Sequence, residues 1–167
     1  THSIEGTLGT ENWYVTPVTV TLAATDTLSG LAAIRYQVDG GAWTAGSSVV
    51  VSADGTHTVA YRAEDMAGNL SGTVSVDFKI DRSTPIAYMA PTGAFQSQTA
   101  FTISWGGIDP APGSGMSNYD VQVADGLSGE WVDWLANTAQ TSAPYSGLRG
   151  HTYVFRVRAR DVAGNLS

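Results

Sequence analysis

The feature that most constrains this chain is an internal repeat. Asp65-Met66-Ala67-Gly68-Asn69-Leu70-Ser71 recurs as Asp161-Val162-Ala163-Gly164-Asn165-Leu166-Ser167, with six of seven positions identical. Self-similarity of this kind means that one structural plan is used twice. A looser echo lies upstream. Asp26 with Ser29-Gly30-Leu31 precedes the stretch holding Tyr36, and Asp109 with Ser114-Gly115-Met116 precedes the stretch holding Tyr119. Each copy then passes through a Trp-bearing hairpin, with Trp43 in the first and Trp131 in the second. Between the copies stands Asp81-Arg82-Ser83-Thr84-Pro85. Proline cannot donate to a strand ladder, so the boundary is expected here, giving domains over 1–82 and 83–167. The linker is short and not glycine-rich, which predicts a semi-rigid tandem.

Within each copy the apolar residues recur at every second position. Val18, Val20 and Leu22 alternate with Thr19 and Thr21; Val59, Tyr61 and Ala63 follow the same rule, as do Val74, Val76, Phe78 and Ile80. The second copy has Phe101/Ile103/Trp105, Tyr119/Val121/Val123 and Tyr153/Phe155/Val157/Ala159. Alternation over short runs broken by Gly, Pro, Asn and Asp is the pattern of half-buried antiparallel strands. No window carries a helical period. Strands at this spacing without intervening helices predict an all-β chain of two tandem antiparallel β-sandwiches.

Composition then removes function classes. The net charge is −7 and Lys79 is the single lysine, whereas phosphate binding needs clustered cations, so nucleic acid is not an expected partner. The absence of cysteine excludes disulfide staples and thiolate zinc sites. No apolar run approaches the roughly 18 residues of a membrane span, so insertion into a bilayer is not expected. Charged residues are only 14% of the chain, and Ser, Thr, Gly and Ala take their place. Thr1 reads as the start of an excised fragment or a mature product.

The first copy, roughly residues 3–81, resembles the bacterial immunoglobulin-like repeats of long secreted and surface proteins. Gly6-Thr7-Leu8-Gly9, Trp13-Tyr14, Val18-Thr19-Val20-Thr21-Leu22, Tyr36-Gln37-Val38-Asp39-Gly40-Gly41 and Phe78-Lys79-Ile80-Asp81 carry the likeness. The second copy, residues 85–167, resembles a fibronectin type III module. Trp105 matches that family's core tryptophan, and residues 148–159 match its sixth strand, with Tyr153 as the corner tyrosine bonding the backbone just upstream. The resemblance implies an extracellular or cell-surface location, bacterial origin, and neighbouring domains of a parent protein as partners. In the first copy the shared motif is followed by a strand over residues 73–80. The second copy stops at its motif, so it is expected to lack its last strand. Either it was trimmed there, or another chain supplies the strand to the open edge by β-augmentation.

Several residues qualify as sites. The loops that follow the second and sixth strands of such a sandwich lie at one end, which pairs Asp26 with Asp65 and Asp109 with Asp161, and brings Glu64 near the first pair. Converging oxygens suit Ca²⁺; the competing reading is that each aspartate closes a turn onto backbone N–H groups. Trp131 and Trp134 are the best candidates for a sugar-stacking face. Arg156, Arg158 and Arg160 share the outward face of one strand, opposite outward Asp120 and Gln122. This predicts cross-strand pairs, with a docking surface for an acidic neighbour as the alternative. His2, His57 and His151 are scattered, and neither copy assembles a nucleophile with a base, so no catalytic site is expected. Lys79 alternates with core residues and points outward, which excludes an isopeptide cross-link. Asn69-Leu70-Ser71 and Asn165-Leu166-Ser167 fit the N-glycosylation pattern, which their turn role also explains. The function expected is a non-catalytic spacer or stalk of a larger extracellular protein, with an accessory module for polysaccharide or a protein partner as the alternative.

Overall fold

The computed structural model describes all 167 residues and contains fourteen strands. It falls into two compact units, Thr1–Arg82 and Ser83–Ser167, each with its own apolar cluster. There is no helix long and apolar enough to cross a membrane.

In the first unit, β1 (His2–Glu5), β3 (Val18–Leu22) and β6 (Ser48–Val51) form one antiparallel sheet in the order β1-β3-β6. The second sheet has the order β2-β8-β7-β4-β5, from β2 (Trp13–Tyr14), β4 (Leu31–Val38), β5 (Thr44–Ala45), β7 (Gly55–Asp65) and β8 (Val74–Ile80). The β2–β8 pair is parallel, with Tyr14 beside Ile80, so the first segment crosses from one sheet to the other. The alternating residues do what their period demands. Val18, Val20, Val59 and Ile80 are fully buried between the sheets, and Tyr61 and Phe78 close the same cluster. Val74 departs from the pattern: it opens β8 and stays exposed, because the core begins at Val76.

The second unit has two three-stranded sheets. β9 (Ile86–Met89), β10 (Ala100–Ile108) and β13 (Ser142–Ser146) give the order β13-β10-β9; β11 (Met116–Asp125), β12 (Val132–Thr138) and β14 (Tyr153–Asp161) give β12-β11-β14. Ile103, Trp105, Tyr119, Val121 and Ala159 fill the space between them. The tyrosine corner is formed, since the Leu148 N–H donates to the Tyr153 hydroxyl at 3.0 Å. Both units are immunoglobulin/fibronectin type III-like sandwiches, and the two sheets of each carry the apolar alternation on their inner faces.

Candidate functional site

The paired aspartates do meet. In the first unit the Ser29 hydroxyl donates to Asp26 Oδ2 at 3.0 Å, and Asp26 also accepts from the N–H groups of Gly30 (2.7 Å) and Leu28 (3.3 Å). Asp65 accepts from the Asn69 N–H at 2.8 Å and the Asn69 side-chain amide at 2.9 Å. The loops are tied by the Met66 N–H, which donates to the Gly30 carbonyl at 2.8 Å. Ser29 and then the Leu28 N–H hold the Asp26 carboxyl below its usual range, while the neighbouring Asp65 charge works against them. Asp65 is held down chiefly by the Asn69 amide. Glu64 does not join this pair: its carboxylate is taken by Arg35 at 2.6 Å on the outer face of the sheet.

The second unit repeats the arrangement in a drier setting. Asp161 Oδ1 accepts from the N–H groups of Gly164 (2.7 Å) and Asn165 (2.8 Å), and Oδ2 from the Asn165 amide (2.8 Å). Gly164 has φ of 102° and Gly68 has φ of 87°, a conformation that glycine adopts without penalty. Asp109 accepts from the Gly115 N–H at 2.5 Å, and carboxylate oxygens of Asp109 and Asp161 lie within 4.8 Å of each other. Loop 162–165 is fastened to loop 110–115 by the Ala163 N–H to Ser114 Oγ (2.9 Å) and the Val162 N–H to the Gly115 carbonyl (2.8 Å). Here Asp161 is 1% exposed and Ala163 fully buried, while Asp65 and Ala67 are not.

Every one of these carboxylates thus already caps its own loop. On the turn-closing reading, millimolar Ca²⁺ and a chelator give the same melting temperature for the unit holding Asp26 and Asp65. A calcium-dependent rise in differential scanning calorimetry would reassign that pair to ion binding.

The aromatic candidates separate. Trp131 is exposed, and the Arg156 guanidinium lies 4.3 Å from its ring centroid. Trp134 is half-buried, and its ring packs edge-on against Trp105 (5.9 Å), Tyr145 (5.4 Å) and Phe155 (5.6 Å) at the border of the core. The first unit repeats the Trp131 arrangement, with Arg62 4.2 Å from the Trp43 centroid. Lys79 points outward as expected, lying over Trp13 and donating to the Glu11 carbonyl at 2.9 Å.

The arginine row is engaged across the sheet. Arg158 bonds Asp120 at 3.0 Å, and the Arg156 Nε donates to Gln122 Oε1 at 2.6 Å, whose own amide donates to Asp133 at 2.7 Å. The Asn137 N–H, and then Arg158, hold the Asp120 carboxyl below its usual range. These residues border an open groove of about 440 Å³ on the outer face of the β12-β11-β14 sheet, a polar surface that sequence reasoning reached only as separate pairs. A second repetition went unread. His57 pairs with Asp39 at 2.8 Å and His151 with Asp125 at 2.7 Å, both pinning the end of a central strand to the start of its neighbour. The two histidines are not at equal positions, since His57 stands inside β7 and His151 just ahead of β14.

The fold and these clasps define a pair of tandem immunoglobulin/fibronectin type III-like modules. The chain is 31% identical to Chitinase A1 of Niallia circulans over 168 residues, covering 92% of this chain and 23% of that protein. It is likewise 31% identical to Exoglucanase B of Cellulomonas fimi over 161 residues, covering 87% of this chain and 14% of that protein. The chain therefore spans less than a quarter of the length of these curated relatives. Among solved structures, the fibronectin(III)-like modules of Clostridium thermocellum CbhA align over 100% of this chain and 89% of theirs, at 14% identity and a TM-score of 0.40. No protein-family model matches the sequence.

Proposed function

We propose that this chain is a non-catalytic spacer segment of a larger extracellular bacterial protein that acts on polysaccharide, with the parent's neighbouring domains as its partners. The observation that carries this reading is the alignment of nearly the whole chain with a small part of a chitinase and an exoglucanase. The titratable side chains agree with it: Arg158 and Asp120 at the open groove are paired across the sheet, and Asp26, Asp65 and Asp161 close turns. Incubated with insoluble chitin and cellulose, the chain is expected to release no soluble sugar and to stay in the supernatant. Sugar release would overturn the reading.

A second reading, an accessory polysaccharide-binding module, is favoured by one observation. Trp131 stands exposed beside the groove bordered by Gln122, Asp133 and Arg156, where an aromatic face adjoins paired donors and acceptors. Retention on either polysaccharide that Trp131→Ala abolishes would replace the spacer reading with this one.

A further inference from the structure

The three-stranded sheet β1-β3-β6 of the first unit and the sheet β13-β10-β9 of the second share an edge. β6 pairs with β3, β13 pairs with β10, and neither has a partner on its other side. The registers superpose. Val18 and Val20 of β3 take the places of Phe101 and Ile103 of β10, so Val49, Val50 and Val51 correspond to Ala143, Pro144 and Tyr145. The Leu22 N–H donates to the Ser47 carbonyl at 2.8 Å, and the Trp105 N–H to the Thr141 carbonyl at 2.8 Å. Opposed residues of an antiparallel pair alternate between bonding each other and turning their backbone groups away. Counted from these bonds, Val49 and Val51 bond β3, whereas Ser48 and Val50 turn their N–H and C=O groups to the free side. Pro144 stands at that same outward position in β13. A proline there costs no bond to β10 and removes the donor that another strand would use, which guards the edge.

The first unit lacks this guard. Val50 is 62% exposed, and residues 46–53 include neither a charge nor a proline. Other edges are blunted in other ways: β2 and β5 are two residues long, β1 carries Glu5, and the register of β12 on β11 is shifted twice. β6 is also self-complementary. Ser48-Val49-Val50-Val51-Ser52 reads the same in both directions. A two-fold axis at Val50 therefore matches every residue of an antiparallel pair with its like, serine to serine and valine to valine.

We infer that the free side of β6 is a docking edge for a second copy of this chain, with the two β6 strands antiparallel about a two-fold axis. Val50 of one copy exchanges two backbone hydrogen bonds with Val50 of the other, and Ser48 meets Ser52 on either side. The outward Val50 side chains cover each other, and Val49 lies beside the opposing Val51, so one sheet continues into the next with no like charges opposed. The net charge of −7 on each copy opposes the approach at long range, so salt strengthens the association. This inference is independent of the spacer reading, which needs no self-association, and the polysaccharide assays do not bear on it.

The test follows the full chain by sedimentation velocity and amide hydrogen exchange between about 10 μM and 1 mM, at low and at high salt. Monomer is expected to give way to dimer as the concentration rises, and to do so earlier in high salt. Exchange of the Ser48 and Val50 amides is expected to slow by roughly tenfold or more across that range, while Val49 and Val51, already bonded to β3, change less. Val50→Pro, which copies Pro144, is expected to abolish the dimer. Val50→Lys, which opposes two like charges at the axis on an exposed position, guards against a misfolded proline variant and is expected to do the same. A chain that stays monomeric throughout, or a dimer that both variants leave intact, would overturn the proposal. So would a dimer that protects other amides and leaves Ser48 and Val50 unchanged, because the copies then meet by another surface.

Discussion

Trp105→Ala is expected to lower the stability of the second unit by about 3–5 kcal/mol, the cost of removing a large aromatic side chain from a packed core. Trp105 is 3% exposed and meets Trp134 edge-to-face, and Trp134 in turn touches Tyr145 and Phe155. Truncating it opens a void beside Trp134, between the two sheets, that cannot collapse without moving them. For a unit of this size each kcal/mol shifts the transition by about 4–8 °C, so the melting temperature should fall by at least roughly 12 °C. A cost of that order consumes much of the roughly 5–15 kcal/mol by which domains are stable. Trp105→Phe separates packing from polarity. The indole Nε1 of Trp105 is buried without a hydrogen-bond acceptor, so replacing the indole removes an unsatisfied donor as well as volume. Phe is therefore expected to retain most of the stability that Ala loses. Calorimetric transitions of the three proteins check both statements; equal losses for Ala and Phe would show that indole volume, not the ring edge meeting Trp134, sets the cost.

The same cluster shows where the sequence was legible and where it was not. Trp105 was readable as core because it is in phase with Phe101 and Ile103 on a regular strand, and Phe155 and Val157 because they belong to a long alternating run. Trp134 was not. The β11–β12 register shifts between Tyr119 and Val121 and again between Val121 and Gln122. Each irregularity slips the alternation, so that adjacent Trp134 and Leu135 both pack against the core, and a strict period of two assigns one of them to solvent. Asp120, Gln122, Arg156 and Arg158 were legible as cross-strand neighbours for the opposite reason: β11 and β14 keep register from Asn118 to Asp125. The pairing of Asp26 with Asp65, and of Asp109 with Asp161, followed from which loops share an end of a sandwich. Their different burial did not follow, because two motifs identical at six of seven positions carry no record of what packs over each. Glu64 was misplaced because proximity along the chain was taken for proximity in space, whereas alternation sends it to the outer face beside Arg35.

That difference in burial has its own measurable consequence. Asp161→Ala is expected to destabilise the second unit by about 2–3 kcal/mol, and Asp65→Ala to cost the first unit a fraction of that. Each wild-type carboxylate caps its loop by accepting from asparagine at the fifth motif position, and Asp161 takes one further N–H from Gly164. In the second unit the loop is fastened down at Ala163 and the N–H groups that Asp161→Ala deprives of the carboxylate are partly buried, so water replaces the lost acceptor less readily. Around Asp65 the loop is open, and water replaces the lost acceptor. Asp161→Asn divides the contributions further. Its oxygen still accepts from the Gly164 and Asn165 N–H groups, but its amide meets the Asn165 amide donor to donor. Against that loss, the substitution removes a negative charge within 4.8 Å of Asp109. The Asn variant is therefore expected to lie between wild type and Ala in denaturant titrations. An Asn variant more stable than wild type would mean that repulsion between Asp109 and Asp161 outweighs the charged hydrogen bonds. Equal losses for Asp65→Ala and Asp161→Ala would mean that the motif acts through its turn geometry alone, irrespective of how deeply its carboxylate is buried.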